Sequence, residues 1–231
     1  IVYVSDNLGF LYAYNHETNS INWAKKFNVP FRSNLKLFDD KLVGADQNNN
    51  LLIMDKKDGN ILKSFPTEEQ LYINRYENSI VIGENNLFFL NTFGTLYSIE
   101  MTKLRINWFL NLHNSINADL GKLFGSKNLK FINKKLVIPT NTDLFIIDSD
   151  TGTSLMRLPF KSKVNPISYG DHIFFVNDNN LLVCINLKTN KIIYSISLKT
   201  IISNVLKKDD HNTNIKSIRF INNNLNFFLN D

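Results

Sequence analysis

The sequence predicts an all-β fold, a β-propeller of four-stranded antiparallel blades, and three observations carry the prediction. Polar residues Asn15, Asp55, Glu100, Asp148 and Asn186 each end a short apolar run, at successive spacings of 40, 45, 48 and 38 residues. Four positions ahead of each of these anchors stands a leucine: Leu11, Leu51, Leu96, Leu144 and Leu182. Apolar and polar residues alternate with the period of strands, and no segment sustains the helical period. Units of about 40 residues holding four short strands are propeller blades. A β-sandwich would alternate without a shared residue at a fixed offset, and a helical solenoid needs the longer period.

Each copy reads the same way from its N-terminal end. A weak strand comes first where it is visible, at 34–38, 128–132 and 215–221. A run rich in Val, Ile, Leu and Phe follows, at 1–4, 41–44, 87–90, 136–138 and 173–176, and composition makes these runs strands. Six residues before the anchor stand Gly9, Asn49, Gly94, Thr142 and Asn180, a column of residues that mostly accept left-handed backbone and so mark a tight turn. The leucine strand then runs to the anchor. Four residues beyond it come Asn19, Gly59, Leu104, Gly152 and Asn190, a second turn in which Leu104 stands where Gly or Asn is expected. The last strand carries Ile21, Ile61, Ile106, Ser154 and Ile192. Two residues on, Trp23, Lys63, Trp108, Met156 and Tyr194 are mostly large enough to wedge between sheets.

One helix is expected, at 198–206, of two turns at most. The closing run 225–231 matches 1–7, so the two ends duplicate one strand. The expectation is therefore a single propeller domain over residues 1–231, incomplete at both ends, with five blades and a partial sixth. A ring of seven or eight such blades needs roughly 300 to 350 residues.

Composition narrows the function. At 43% hydrophobic and 20% charged the chain is globular, and no apolar run approaches the length of a membrane helix. With Gly at 9, Pro at 5 and Asn at 36, asparagine is expected to make many of the turns. The net charge of +5 comes from dispersed Lys and Arg, and Lys207-Lys208 is followed at once by Asp209-Asp210, so no nucleic-acid partner is expected. Cys184, the single cysteine, allows neither a disulfide nor a Cys-based zinc site.

Catalytic chemistry finds no support in the motifs. His16, His113, His172 and His211 lie in different units, without metal-ligand spacing, and are expected in solvated loops. Asp143, Asp148, Asp150 and Asp171 lie at strand ends or turns, where Asp bonds its own backbone. The runs 46–50 and 177–180 lack the spacing of a calcium loop and occupy the turn column. No phosphate loop and no nucleophile elbow occurs. No catalytic residue, cofactor site or metal site is assigned.

The repeat itself resembles the PQQ-type propeller repeat. Gly9-Phe10-Leu11-Tyr12-Ala13-Tyr14-Asn15, followed by Asn19-Ser20-Ile21-Asn22-Trp23, is similar to that pattern throughout, and 94–108, ending in Trp108, is the next best copy. The resemblance implies that Trp23 and Trp108 stack between blades, a structural role. Proteins of this repeat are quinone-dependent dehydrogenases or binding scaffolds similar to the BamB family, and fold alone does not separate the two. The dehydrogenases carry a vicinal cysteine pair, which one cysteine cannot supply. The BamB-like reading implies a non-enzymatic, periplasmic scaffold, held at the outer membrane by a lipid anchor that is not in this sequence. Its implied partners are the central subunit of the barrel-assembly machine and nascent outer-membrane proteins. The alternatives are a piece of a quinoprotein dehydrogenase, or a ligand-binding propeller of another compartment. The longest interval, from Glu100 to Asp148, has its excess at 113–127, and there Leu120, Leu123 and Phe124 are expected to face a protein partner.

Overall fold

The computed structural model describes residues 1–68, 77–112, 129–206 and 215–229. They fall into two compact units, Ile1–Leu129 and Lys130–Asp231. In the first, β1 (Val2–Ser5), β2 (Phe10–Asn15) and β3 (Ser20–Lys26) form a three-stranded sheet. Two four-stranded sheets follow. One is β4 (Lys36–Phe38), β5 (Lys41–Ala45), β6 (Leu51–Asp55) and β7 (Ile61–Phe65); the other is β8 (Ser79–Gly83), β9 (Asn86–Leu90), β10 (Thr95–Glu100) and β11 (Arg105–Asn111).

The second unit repeats the plan. It has β12 (Lys130–Ile132), β13 (Lys135–Pro139), β14 (Leu144–Asp148) and β15 (Ser154–Leu158), then β16 (Ile167–Tyr169), β17 (His172–Val176), β18 (Leu181–Asn186) and β19 (Lys191–Ser197). After helix α1 (Leu198–Leu206), β20 (Ile215–Ile221) and β21 (Asn224–Leu229) form a two-stranded sheet. Every pairing joins sequence neighbours antiparallel, so each sheet is a meander of the kind that makes a propeller blade. β8 and β16 complete their sheets at positions that sequence pattern leaves unassigned. The helix has the expected bounds, and its nine residues make two and a half turns.

Each unit owes its core to sheets covered on both faces. Along β5 and β6, Leu42, Leu52 and Met54 pack with Leu11 and Phe31 on one side. Val43, Ala45, Leu51 and Ile53 pack with Ile80, Leu87 and Phe89 on the other. The period of two therefore sends alternate side chains to two different neighbouring sheets. In the second unit Ile173, Phe175, Val183 and Ile185 pack with Val137 and Ile146, while Phe174, Val176, Leu182 and Cys184 pack with Leu198, Ile215 and Ile218. Full burial contributes about 1.5–3 kcal/mol for each Val, Leu, Ile, Phe or Met side chain among them. All five repeat leucines, Leu11, Leu51, Leu96, Leu144 and Leu182, are buried.

The turn after the anchor has left-handed backbone in every copy: Asn19 (φ 52°), Gly59 (71°), Leu104 (51°), Gly152 (74°) and Asn190 (53°). Leu104 takes the conformation of its column although its side chain disfavours it, and that side chain packs against the buried cluster around Val43 and Ile99. In the earlier turn Gly9, Asn49, Gly94 and Asn180 have positive φ, whereas Thr142 does not. The loop of Thr142 is one residue shorter, closing from the Thr140 N–H to the Asp143 carbonyl.

A further regularity appears only in the structure. Each pairing of the leucine strand with the last strand shifts register at the same place: Ala13/Tyr14, Ile53/Met54, Ser98/Ile99, Ile146/Ile147 and Cys184/Ile185. The extra residues opposite these bulges are Asn22, Leu62, Asn107, Leu155 and Ile193.

Candidate functional site

The richest polar constellation lies at one end of the sheets of the first unit, where the turns before β6 and β10 meet the stretch after β7. Each turn is built on a side-chain acceptor. Asp46 Oδ1 accepts the N–H groups of Asn48 and Asn50, and its Oδ2 accepts from Asn50 Nδ2. Asn91 Oδ1 likewise accepts the N–H groups of Phe93 and Thr95. Such Asx bonds hold the backbone in a turn that a short polar side chain mimics.

Asn49 joins the two turns. Its side-chain carbonyl accepts from the N–H and Oγ1 of Thr92, and its Nδ2 donates to the Glu68 carbonyl. The Glu68 carboxylate takes Asn91 Nδ2 at 2.6 Å, Thr95 Oγ1 at 2.9 Å and the Tyr97 hydroxyl at 3.1 Å. Thr67 Oγ1 donates to the Asn49 carbonyl. Burial, with the Glu68 charge second, pushes the Tyr97 phenol up to about 12, so it stays protonated and donates to Glu68. The network has its donors and acceptors matched to one another. It fixes the connecting segment against two turns.

The same turn chemistry recurs elsewhere. Asp6 Oδ1 accepts from Leu8 and Phe10, and Asn177 Oδ1 accepts from Asn179 and Leu181. Asp6, Asp46, Asn91 and Asn177 all stand nine residues ahead of their anchors. Thr140, in the shorter loop, accepts through Oγ1 from Thr142 and Asp143. Sequence reasoning missed this column, because Asp, Asn and Thr share it and one copy is displaced.

Most of the anchors are caps of the same kind. Asn15, Asp55, Asp148 and Asn186 accept backbone N–H groups two or three residues on. Glu100 instead bonds Thr102 and Arg105 through its longer side chain. Of the four aspartates singled out by sequence, Asp148 alone makes the backbone bonds expected. Asp143 pairs with Arg157, Asp150 with Lys134, and Asp171 with Asn133 and Lys188. His16 lies in an exposed turn, while His172 opens β17, half-buried against Asn186 rather than in a loop. His113 and His211 fall outside the described residues, as do Leu120, Leu123 and Phe124.

Trp23 meets the next sheet of its own unit. Its indole N–H donates to the Lys56 carbonyl at 3.1 Å, an acceptor that also takes the Tyr3 hydroxyl. Its ring lies over Gly59, where an added Cβ would sit 2.8 Å from ring carbons. Trp108 is half-buried and tilted against Phe88, with ring centroids 6.0 Å apart.

A quinone with a calcium ion needs carboxylate and amide oxygens that converge. The carboxylates of Asp46 and Glu68 are already bonded inside the turns. Among the described residues no three of His, Cys, Asp and Glu are grouped to hold a metal ion, and Cys184 is a lone buried thiol.

Comparison with known proteins bears on the family. The family model for outer membrane protein assembly factor BamB matches residues 1–196. The chain belongs to the BamB family. No curated protein sequence matches it. Among solved structures, BamB from Moraxella catarrhalis superposes with a TM-score of 0.68 at 12% identity, over 84% of this chain and 60% of that one. The computationally designed Ika8 protein gives 0.68 at 10% identity, over 97% of this chain and 64% of Ika8. A europium-containing methanol dehydrogenase gives 0.65 at 9%, covering 84% of this chain and 49% of the enzyme. At these identities the structures establish the propeller fold that BamB shares with dehydrogenases. The chain spans about three-fifths of the length of the Moraxella BamB.

Proposed function

We propose that this chain is a non-enzymatic scaffold in the assembly of outer-membrane β-barrel proteins, working in the periplasm at the outer membrane through a lipid anchor carried outside this sequence. The observation that carries the reading is the match of the BamB family model over residues 1–196. The chemistry of the turns supports it, since Asp46, Asn91 and Glu68 serve backbone and neighbouring side chains and so shape a surface. The partners are the central subunit of the barrel-assembly machine and nascent barrel proteins, with Leu120, Leu123 and Phe124 as contacts in the longest interval between repeats.

A second reading, part of a quinone-dependent dehydrogenase, is supported by fold likeness to the methanol dehydrogenase and to the quinohemoprotein alcohol dehydrogenase from Comamonas testosteroni. One experiment addresses both. The purified chain is immobilised and challenged with the periplasmic domains of the central subunit, and in parallel mixed with quinone and calcium. Saturable capture, weakened by Leu123→Ala with Phe124→Ala, is expected, without cofactor absorbance. Dye-linked alcohol oxidation without capture would replace the scaffold by the dehydrogenase. Capture unaffected by the double substitution would remove the contact segment alone.

A further inference from the structure

Within each unit the first strands of neighbouring sheets approach one another, β4 to β8 and β16 to β20, which marks the side of a blade nearest the propeller axis. The charges on that side have one sign. Lys36 lies in β4, Lys130 in β12, and Lys216 and Arg219 in β20; β8 and β16 carry no charge, and none of these strands holds Asp or Glu. Lys36 and Lys130 are equivalent, opposite Val43 and Val137 and two residues before the ends of their strands. Each therefore shares the face on which its valine meets the next sheet of its own unit.

Elsewhere among the described residues, half-buried lysines reach an oxygen. Lys25 donates to Asn60, Lys41 to Asp40, Lys163 to Asn180, and Lys56 and Lys135 to the carbonyls of Asp39 and Leu187. The side chains of Lys36, Lys130 and Arg32 are half-buried too, yet they make no hydrogen bond or ion pair with the described residues. Arg32 leads into β4, and its carbonyl accepts the Asn78 N–H just ahead of β8. Its Nε is sealed from water without an acceptor. Burial pushes the Lys130 ammonium below the ordinary lysine value, and no acid opposes the shift. A cation drawn partly out of water and left unpaired costs stability unless an anion meets it.

We propose that the first strands of each unit bind an acidic segment of another polypeptide, whose carboxylates meet Arg32 and Lys36 in the first unit and Lys130 in the second. A phosphate site gathers several donors on one point. Here the cations come singly, with apolar residues such as Leu37 and Phe131 beside them, so they suit carboxylates carried at intervals along a chain. A nucleic acid, charged at every residue, would leave most of its phosphates without a partner on strands as sparsely charged as these. The inference stands on the distribution of charge and does not depend on the barrel-assembly reading.

Fluorescence anisotropy of the full chain with a labelled peptide of alternating Glu and Ser tests the proposal. Saturable binding that weakens with salt is expected, and none to the matched peptide of Gln and Ser. Lys36→Met with Lys130→Met keeps the apolar stems and should weaken binding about tenfold. Lys57→Met with Lys191→Met removes the same charge from exposed positions, one in each unit, and should leave binding within about twofold. Urea unfolding of the first pair should show stability no lower than that of the parent, since each substitution removes an unpaired cation. Absence of binding to the acidic peptide overturns the proposal, as does equal weakening by the two pairs or a loss of stability in the first, which would make those lysines structural. Tighter binding of oligothymidylate would give the surface to nucleic acid instead, and displacement of the peptide by an equal concentration of inorganic phosphate would make it a small-anion site.

Discussion

Gly59 meets two separate demands, a φ of 71° and the Trp23 ring at 2.8 Å from where a Cβ would be. Gly170 meets only the first, with φ at 56° and nothing within 4 Å of its added Cβ. Left-handed backbone costs a residue with a side chain roughly 1–2 kcal/mol. Gly170→Ala should therefore lose about that much, and Gly59→Ala clearly more, in urea unfolding followed by tryptophan fluorescence; equal losses would mean that the ring yields freely. Asp6 offers a test by pH. Its carboxyl is held below the ordinary carboxylate value chiefly by the Phe10 N–H, with the Leu8 N–H and the Tyr12 hydroxyl adding to it against the effect of burial. A depressed folded value stabilises above the unfolded value, near pH 4, and that stabilisation is lost as pH falls through the folded one. Asp6→Asn keeps the acceptor, as Asn91 and Asn177 do in their own turns. Stability of the variant should fall less steeply with acid, and an unchanged slope between pH 5 and strongly acid solution would contradict the assignment.

At the scale of the element, the link from Trp23 to the turn at Lys56 can be taken apart. The Lys56 carbonyl accepts from both Trp23 and Tyr3, so either donor can be lost without orphaning it. Trp23→Phe and Tyr3→Phe should each lose about 1 kcal/mol of hydrogen bonding, and the pair together more than their sum, because a carbonyl left unsatisfied away from water costs about 1–3 kcal/mol. Additive losses in a double-mutant cycle would show that water serves the carbonyl instead. Much of this architecture was legible in the chain itself. The leucine column, the left-handed column after each anchor and the helix at 198–206 all rest on residue types that local physics demands. The bulge was not legible, since Asn22, Leu62, Asn107, Leu155 and Ile193 share no chemistry and a register shift is a property of two strands together. The Glu68 network was hidden for a similar reason. Its members, from Asn49 to Tyr97, converge only when two turns and a connecting segment are brought together.

For the molecule as a whole, asparagine does much of the work that glycine does elsewhere. Nine glycines serve 231 residues, and Asn19, Asn49, Asn180 and Asn190 take positive φ at repeat turns. Asparagine is the non-glycine residue best suited to that backbone, and its side chain can also close the turn. Fold and composition thus have one explanation in the turns, and function has to be sought on the surfaces that the turns hold in place. The anchor column adds a chemical consequence. Asn15 and Asn186 accept the same backbone bonds that Asp55 and Asp148 accept in their own repeats. An aspartate at either position would keep the accepting oxygen and add one negative charge at a turn whose bonds are exposed. At these two positions the charge of the surface can change without losing the cap.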